Sequence, residues 1–170
     1  MKRKLAFILI LSYSVFAIAQ LKVGEKAPVF TLTDKNGEVF NLADLLGKKN
    51  LVIYFYPKDE TPGCTAEACS FRDSYEEFLK YGCEVIGISN DSPESHISFS
   101  ENHNLPFILL TDEDHKVQEL YTVPKTAGFI PGRVTFLVDK NGIIQMVFNS
   151  QSKATQHVTE ALTKLKSLDE

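Results

Sequence analysis

The apolar residues of this chain fall into short runs divided by polar turns, and the spacing inside the runs switches between two periods. Residues 51–56, LVIYFY, form a near-continuous apolar run with β-branched and aromatic members, the pattern of a strand covered on both faces. Residues 83–89 read as a second buried strand and residues 107–110 as a third. After Cys64 the apolar positions Phe71, Tyr75, Phe78 and Leu79 recur at helical spacing, with Asp73, Glu76, Glu77 and Lys80 largely off that stripe. One amphipathic helix ending at Gly82 is predicted there. Pro93 opens another that runs to about residue 102, residues 113–120 give a short one, and residues 154–168 a last one with Val158, Leu162 and Leu165 inward. Residues 29–33 and 38–40 pair about Asn36-Gly37, and residues 133–138 and 143–148 about Asn141-Gly142, as two hairpins. Asn41 caps a short helix through Leu46 that Gly47 ends. Strands alternating with helices, then a hairpin and a final helix, predict an α/β sandwich with helices on both faces of a mixed central sheet.

Residues 1–19 break this pattern. Lys2, Arg3 and Lys4 precede an apolar run over residues 5–18, and Ala17-Ile18-Ala19 offers a small-x-small cleavage site. Together these describe a secretory signal peptide, and the run is shorter than the ~20 apolar residues of a spanning helix. The expected organisation is a signal peptide over residues 1–19 and a single domain over residues 20–170. The expected address is an exported one, periplasmic or otherwise extracytoplasmic, with no membrane attachment after cleavage. The formal net charge of −4 becomes more acidic once the three leading cations are removed. Without a basic cluster, nucleic acid and anionic membranes are excluded as partners.

The chemistry concentrates in residues 54–69, YFYPKDETPGCTAEAC. An apolar strand runs into Pro57, a polar loop follows, and Cys64 comes on the first turn of a helix with Thr61 three residues before it. Free N–H groups and the positive end of the helix dipole both favour thiolate over thiol at such a position. Pro62 suits the first helical position and Thr61 can cap it. Cys69 lies five residues on; it is either a second reactive sulfur or a buried helix residue. Cys83, alternating with Val85 and Gly87 at the start of an apolar strand, reads as structural. His96, His103, His115 and His157 show no metal-ligand spacing.

The string Pro57-x-x-x-Thr61-x-x-Cys64 resembles the active-site motif of the peroxiredoxins. Cys69 with the following SFRD, and Arg133 in PGRVTFLVDKNG, resemble their bacterioferritin-comigratory or Q-type branch. The resemblance implies a thioredoxin-like fold and a thiol peroxidase that reduces hydrogen peroxide and organic hydroperoxides without metal or haem. It implies Cys64 as the peroxidatic nucleophile, Cys69 as the resolving thiol that forms a disulfide with it, and Thr61 and Arg133 as stabilisers of thiolate and transition state. The resemblance also implies that Pro57 shields the pocket, that a thioredoxin-like protein recycles the disulfide, and that the protein is a monomer like many of its relatives. Two other classes fit less well. A thioredoxin-type oxidoreductase would carry C-x-x-C, whereas this chain has C-x4-C. A copper carrier of the same fold would need a histidine as third ligand, and none stands out.

Overall fold

In the computed structural model, which describes residues 21–169, the long apolar runs become the centre of one sheet. Seven strands lie in the order β2-β1-β5-β4-β3-β6-β7: β1 is Thr31–Asp34, β2 Val39–Asn41, β3 Asn50–Phe55, β4 Cys83–Ser89, β5 Ile108–Thr111, β6 Val134–Val138 and β7 Ile144–Asn149. β3 pairs parallel with β4 and antiparallel with β6, so the sheet is mixed. Every residue of β3 and β4 is buried, as a strand covered on both sides requires.

The strand period of two sends alternate residues into two cores. Val52, Tyr54 and Tyr56 meet Cys64, Ala68, Phe71, Phe78, Phe99, Val158 and Leu165 on one face. Leu51, Ile53 and Phe55 meet Phe30, Leu42, Val117, Tyr121 and Phe136 on the other. The first face carries α1 (Pro62–Asp73), α2 (Tyr75–Lys80), α3 (Pro93–His103) and α5 (Gln156–Lys166); the second carries a 3-10 turn at Leu42–Asp44 and α4 (Lys116–Leu120). Helices therefore stand on both sides of the sheet, as predicted. The predicted hairpins form, and the Asn41 side chain accepts from the Ala43 amide at 3.0 Å to cap the 3-10 turn.

Two predictions change: the short helix expected through Leu46 is only that 3-10 turn, and a longer helix is interrupted. The helix read as continuous to Gly82 breaks at Ser74, whose backbone (φ −103, ψ 1) leaves the helical region between α1 and α2. Phe71 and Phe78 stay on the sheet side, as seven residues would also place them on an unbroken helix, fully buried with ring centroids 5.8 Å apart, while Leu79 is 39% exposed. Burying each such ring stabilises the fold by about 1.5–3 kcal/mol.

Candidate active site

β3 delivers the chain to a loop at its C-terminal end, and α3 fastens that loop at two successive residues. Asp59, 4% exposed, accepts from the Tyr56 hydroxyl at 2.7 Å and from Ser95 at 2.8 Å, and lies 2.8 Å from Nδ1 of buried His96. His96 spends its other nitrogen on the Leu110 carbonyl at 3.2 Å. Glu60 takes a left-handed φ of 58°, and its carboxylate meets Asn102 and His103, each at 2.9 Å. The His103 hydrogen bond, then that of Asn102, holds the Glu60 carboxyl below its usual value.

Thr61 stands at the N-cap of α1 with Pro62 at the first helical position, as predicted. Its side chain, however, makes no cap bond. The hydroxyl donates instead to the Lys58 carbonyl at 3.0 Å, which leaves its oxygen lone pairs open as acceptors. Cys64 is the third residue of α1, inside the turn whose amides have no helical acceptor. Cys64 is 1% exposed, next to the exposed Pro62 and Gly63, while Pro57 is half-buried at the loop's start.

Arg133 reaches this sulfur from the far side of the chain. It precedes β6, which pairs with β3, so the sheet register carries it to the site. Its Nη2 donates to Cys64 Sγ at 3.2 Å, its Nη1 to Glu67, and its Nε to the Gln151 carbonyl at 3.3 Å. Gly63 makes room for that fork, and Gly132 for the chain that passes just before Arg133. A Cβ on Gly63 would sit 3.2 Å from Nη2. One on Gly132 would meet the Pro124 carbonyl oxygen at 2.0 Å, so only glycine lets the chain approach there.

A cysteine at a helix start with an arginine on its sulfur is the geometry the motif implied, and comparison with known proteins decides the family. The AhpC/TSA family model matches residues 23–147. The chain belongs to that family, among the peroxiredoxins. It is 49% identical to the chloroplastic peroxiredoxin Q of Sedum lineare over 91% of this chain and 82% of that one. The peroxidoxin BcpB of Mycobacterium tuberculosis superimposes with a TM-score of 0.82 at 32% identity, covering 88% of this chain and 99% of that one. A Xanthomonas campestris bacterioferritin comigratory protein, whose structure concerns alkyl peroxide reduction, does so with a TM-score of 0.76 at 31% identity over 83% and 92%. The protein is thus a thiol peroxidase of Q type with the thioredoxin-like fold, using peroxides as substrates and thioredoxin-type reductants.

The expected export is contradicted. The Sedum relative and those from Populus jackii, Suaeda salsa and Arabidopsis thaliana are all chloroplastic, not periplasmic or otherwise extracytoplasmic. A basic, acid-free leader is a feature that secretory and organellar segments share, so the pattern of residues 1–19 does not fix an address. That segment lies outside the described residues.

Of the other residues singled out in this peroxiredoxin's sequence, Cys69 is half-buried on α1 and Cys83 is fully buried on β4. Burial pushes the Cys83 thiol up to about 12, the mark of an inert sulfur. Two residues were missed. Glu67 is fully buried one turn beyond Cys64, with Oε2 on Arg133. Burial raises its carboxyl to about 8 against the opposing pull of Arg133. His157, also fully buried, brings Nδ1 to 2.8 Å from the Thr135 hydroxyl and Nε2 to 2.9 Å from the Ser150 carbonyl. That carbonyl only accepts, so the ring proton is on Nε2 and Thr135 donates to Nδ1. Burial pushes His157 down to about 4. The spacing C-x-x-E, which stacks two side chains on one helix face, was the available signal for Glu67; His157 had none, because only the sheet brings it near.

Proposed function

We propose that Cys64 is the peroxidatic nucleophile of this thiol peroxidase and Cys69 its resolving thiol. The observation that carries the reading is the 3.2 Å hydrogen bond from Arg133 Nη2 to the Cys64 sulfur at the start of α1. Sulfur attacks the hydroxyl-bearing oxygen of hydrogen peroxide or an organic hydroperoxide. The S–O bond forms as O–O breaks, the other oxygen leaves with the electron pair as hydroxide or alkoxide, and water protonates it. The product is a sulfenic acid at Cys64. Arg133 and the free amides of Gly63 and Cys64 stabilise charge spreading over the two oxygens. The open lone pairs of the Thr61 hydroxyl accept the peroxide's O–H, and Pro57 shields the sulfur. Cys69 then displaces water from the sulfenic acid to give the Cys64–Cys69 disulfide, which a thioredoxin-like dithiol reduces by exchange.

Geometry adds a condition. On a regular helix, residues five apart have Cα atoms about 8.7 Å from each other, beyond the ~7 Å limit for a disulfide. The turn between the cysteines must therefore unwind before they bond. Residues 21–169 act as one domain, and the reaction needs a single chain, so a monomer suffices.

Stopped-flow reduction of hydrogen peroxide by the reduced protein tests the nucleophile: Cys64→Ser should abolish it, and substantial residual activity overturns the assignment. Cys69→Ser should consume about one peroxide per active sulfur and then stall with a thioredoxin-type donor. Undiminished turnover in that variant, or a Cys64–Cys83 bond in a non-reducing peptide map, moves the resolving role elsewhere.

A further inference from the structure

Glu67 lies on the turn of α1 between the two cysteines, and the peroxide step makes no use of it. Its carboxyl group is sealed from water, with Oε2 on Arg133 and Oε1 without a hydrogen-bond partner. The titratable groups around it come from each element packed there: Tyr54 from β3, Arg133 ahead of β6, His157 from α5, and Cys64 on its own helix. Tyr54 is pushed well above its ordinary value, by burial first and then by Glu67, and remains a neutral phenol. His157 is neutral above about pH 4, and its Nδ1, 3.6 Å from Oε1, is already occupied by Thr135. One guanidinium therefore faces two potential anions, Cys64 and Glu67, with no other cation at the site among the described residues. A carboxylate there also leaves Oε1 a buried, unmet acceptor, which costs about 1–3 kcal/mol or more for a charged group.

We propose that Glu67 is a proton-coupled positioning residue: protonated, it holds the turn between Cys64 and Cys69 closed, and it releases that proton to water when the turn opens for the disulfide to form. The proposal rests on Cys69 as the partner of Cys64. Unwinding the turn necessarily withdraws Glu67, since it sits between them. Reduction of the oxidised form by a dithiol such as dithiothreitol breaks the S–S bond with two electrons and two protons delivered at sulfur. As α1 rewinds, Glu67 takes a third proton from water and carries no electron. If Cys64 returns as thiolate, one proton fewer is bound at sulfur, and Glu67 still takes its own.

The sign follows from burial. Closed, Glu67 is raised to about 8; open, it returns to its ordinary value of 4.5. The closed turn is therefore favoured most below 4.5, and that preference is lost as pH rises through about 8. Between these values each pH unit shifts the equilibrium toward the open form by up to about tenfold.

The test is the reduction potential of the Cys64–Cys69 couple in dithiothreitol buffers across that pH range, in the wild type and in Glu67→Gln. Tenfold in a two-electron couple is about 30 mV, so the wild-type potential should fall by about 30 mV more per pH unit than that of Glu67→Gln. Glu67→Asp, which keeps a carboxyl group, should recover part of the extra slope. Equal slopes in wild type and Glu67→Gln overturn the proposal. If Glu67→Gln does not fold, the wild type alone decides: its infrared spectrum near neutral pH should contain a protonated-carboxyl C=O stretch in the reduced form that vanishes on oxidation. Absence of that band also overturns the proposal. A peptide map lacking the Cys64–Cys69 bond overturns the resolving assignment and this proposal together, whereas the bond with equal slopes overturns this proposal alone.

Discussion

Arg133 divides one guanidinium among a sulfur, a carboxyl group and a backbone carbonyl, and each of its bonded nitrogens has a separate acceptor. Losing the bond to sulfur removes a charge-assisted interaction of about 1.5–3 kcal/mol. Arg133→Met should therefore slow the peroxide step about ten- to a hundredfold; a second-order rate within twofold of wild type in stopped flow would show that the guanidinium does not assist it. Arg133→Lys restores charge without the planar fork and should fall between the two. A subtler probe is Gly63→Ala, whose new Cβ would sit 3.2 Å from Nη2, so that the fork must shift by a few tenths of an ångström and its bond to sulfur weakens. It should lower the same rate while leaving the unfolding midpoint near wild type. At this scale the sequence was legible where chemistry and spacing coincide. Pro57, Thr61 and Cys64 lie within one loop and one turn, so a local string reveals them. Glu67 was legible in principle, from its three-residue offset on a helix. His157 was not, since its place beside Thr135 depends on how α5 lies across β6 and β7.

At the scale of elements, α1 has two duties that conflict. It must be helical for Cys64 to meet Arg133, and it must open for Cys64 to meet Cys69. Oxidation should therefore weaken the helical signal in circular dichroism and speed amide hydrogen exchange between residues 64 and 71, with α5 unaffected. Unchanged exchange across α1 in a fully oxidised sample would show that the helix survives disulfide formation. Cys83 serves as a contrast on a rigid element. Its side chain fills the core under β4, so Cys83→Ala should cost about 0.5–3 kcal/mol of stability and leave the peroxide rate unchanged. The strands were the most legible elements, because a strand buried on both faces announces itself by an unbroken apolar run. The break at Ser74 was not legible. Helical spacing continues through it, and Phe71 and Phe78 sit seven residues apart as on an unbroken helix, so the apolar pattern carries no trace of the restart.

For the whole molecule, two buried groups set opposing pH dependences. His157 is lowered from 6.5 to about 4, so its contribution to stability is present above 6.5 and lost as pH falls toward 4. Glu67 is raised from 4.5 to about 8, so its contribution is present below 4.5 and lost as pH rises through 8. Their slopes cancel between about 4.5 and 6.5 and leave Glu67 alone above that. Urea unfolding of the reduced protein should show a plateau there, then a decline toward pH 8 of up to about 1.4 kcal/mol per unit. Glu67→Gln should flatten the decline; a wild-type profile that is flat from 6.5 to 8 would show that Glu67 is already ionised in the folded state. The mixed sheet and its helix layers followed from the alternation of strand and helix patterns. The leader illustrates the opposite limit: charge and apolarity are visible in residues 1–19, but an address is read by receptors and not by packing.

His103 touches both ends of the stretch that opens. Its ring meets Glu60 at 2.9 Å, just before α1, and its carbonyl accepts from Arg72 at 2.7 Å, near the end of α1. The stretch between is thus a bridle tied twice to one post, not a tail free to fray. Such a tether limits how much disorder the chain gains on opening, because its span stays fixed while its interior melts. Until the disulfide forms, a stretch held this way rewinds on the helix–coil timescale of about 0.1–1 μs. A protease acting on the oxidised enzyme should cut inside the tether, and the two fragments should remain together on a sizing column, because β3 on one side of the cut stays paired with β4 and β6 on the other.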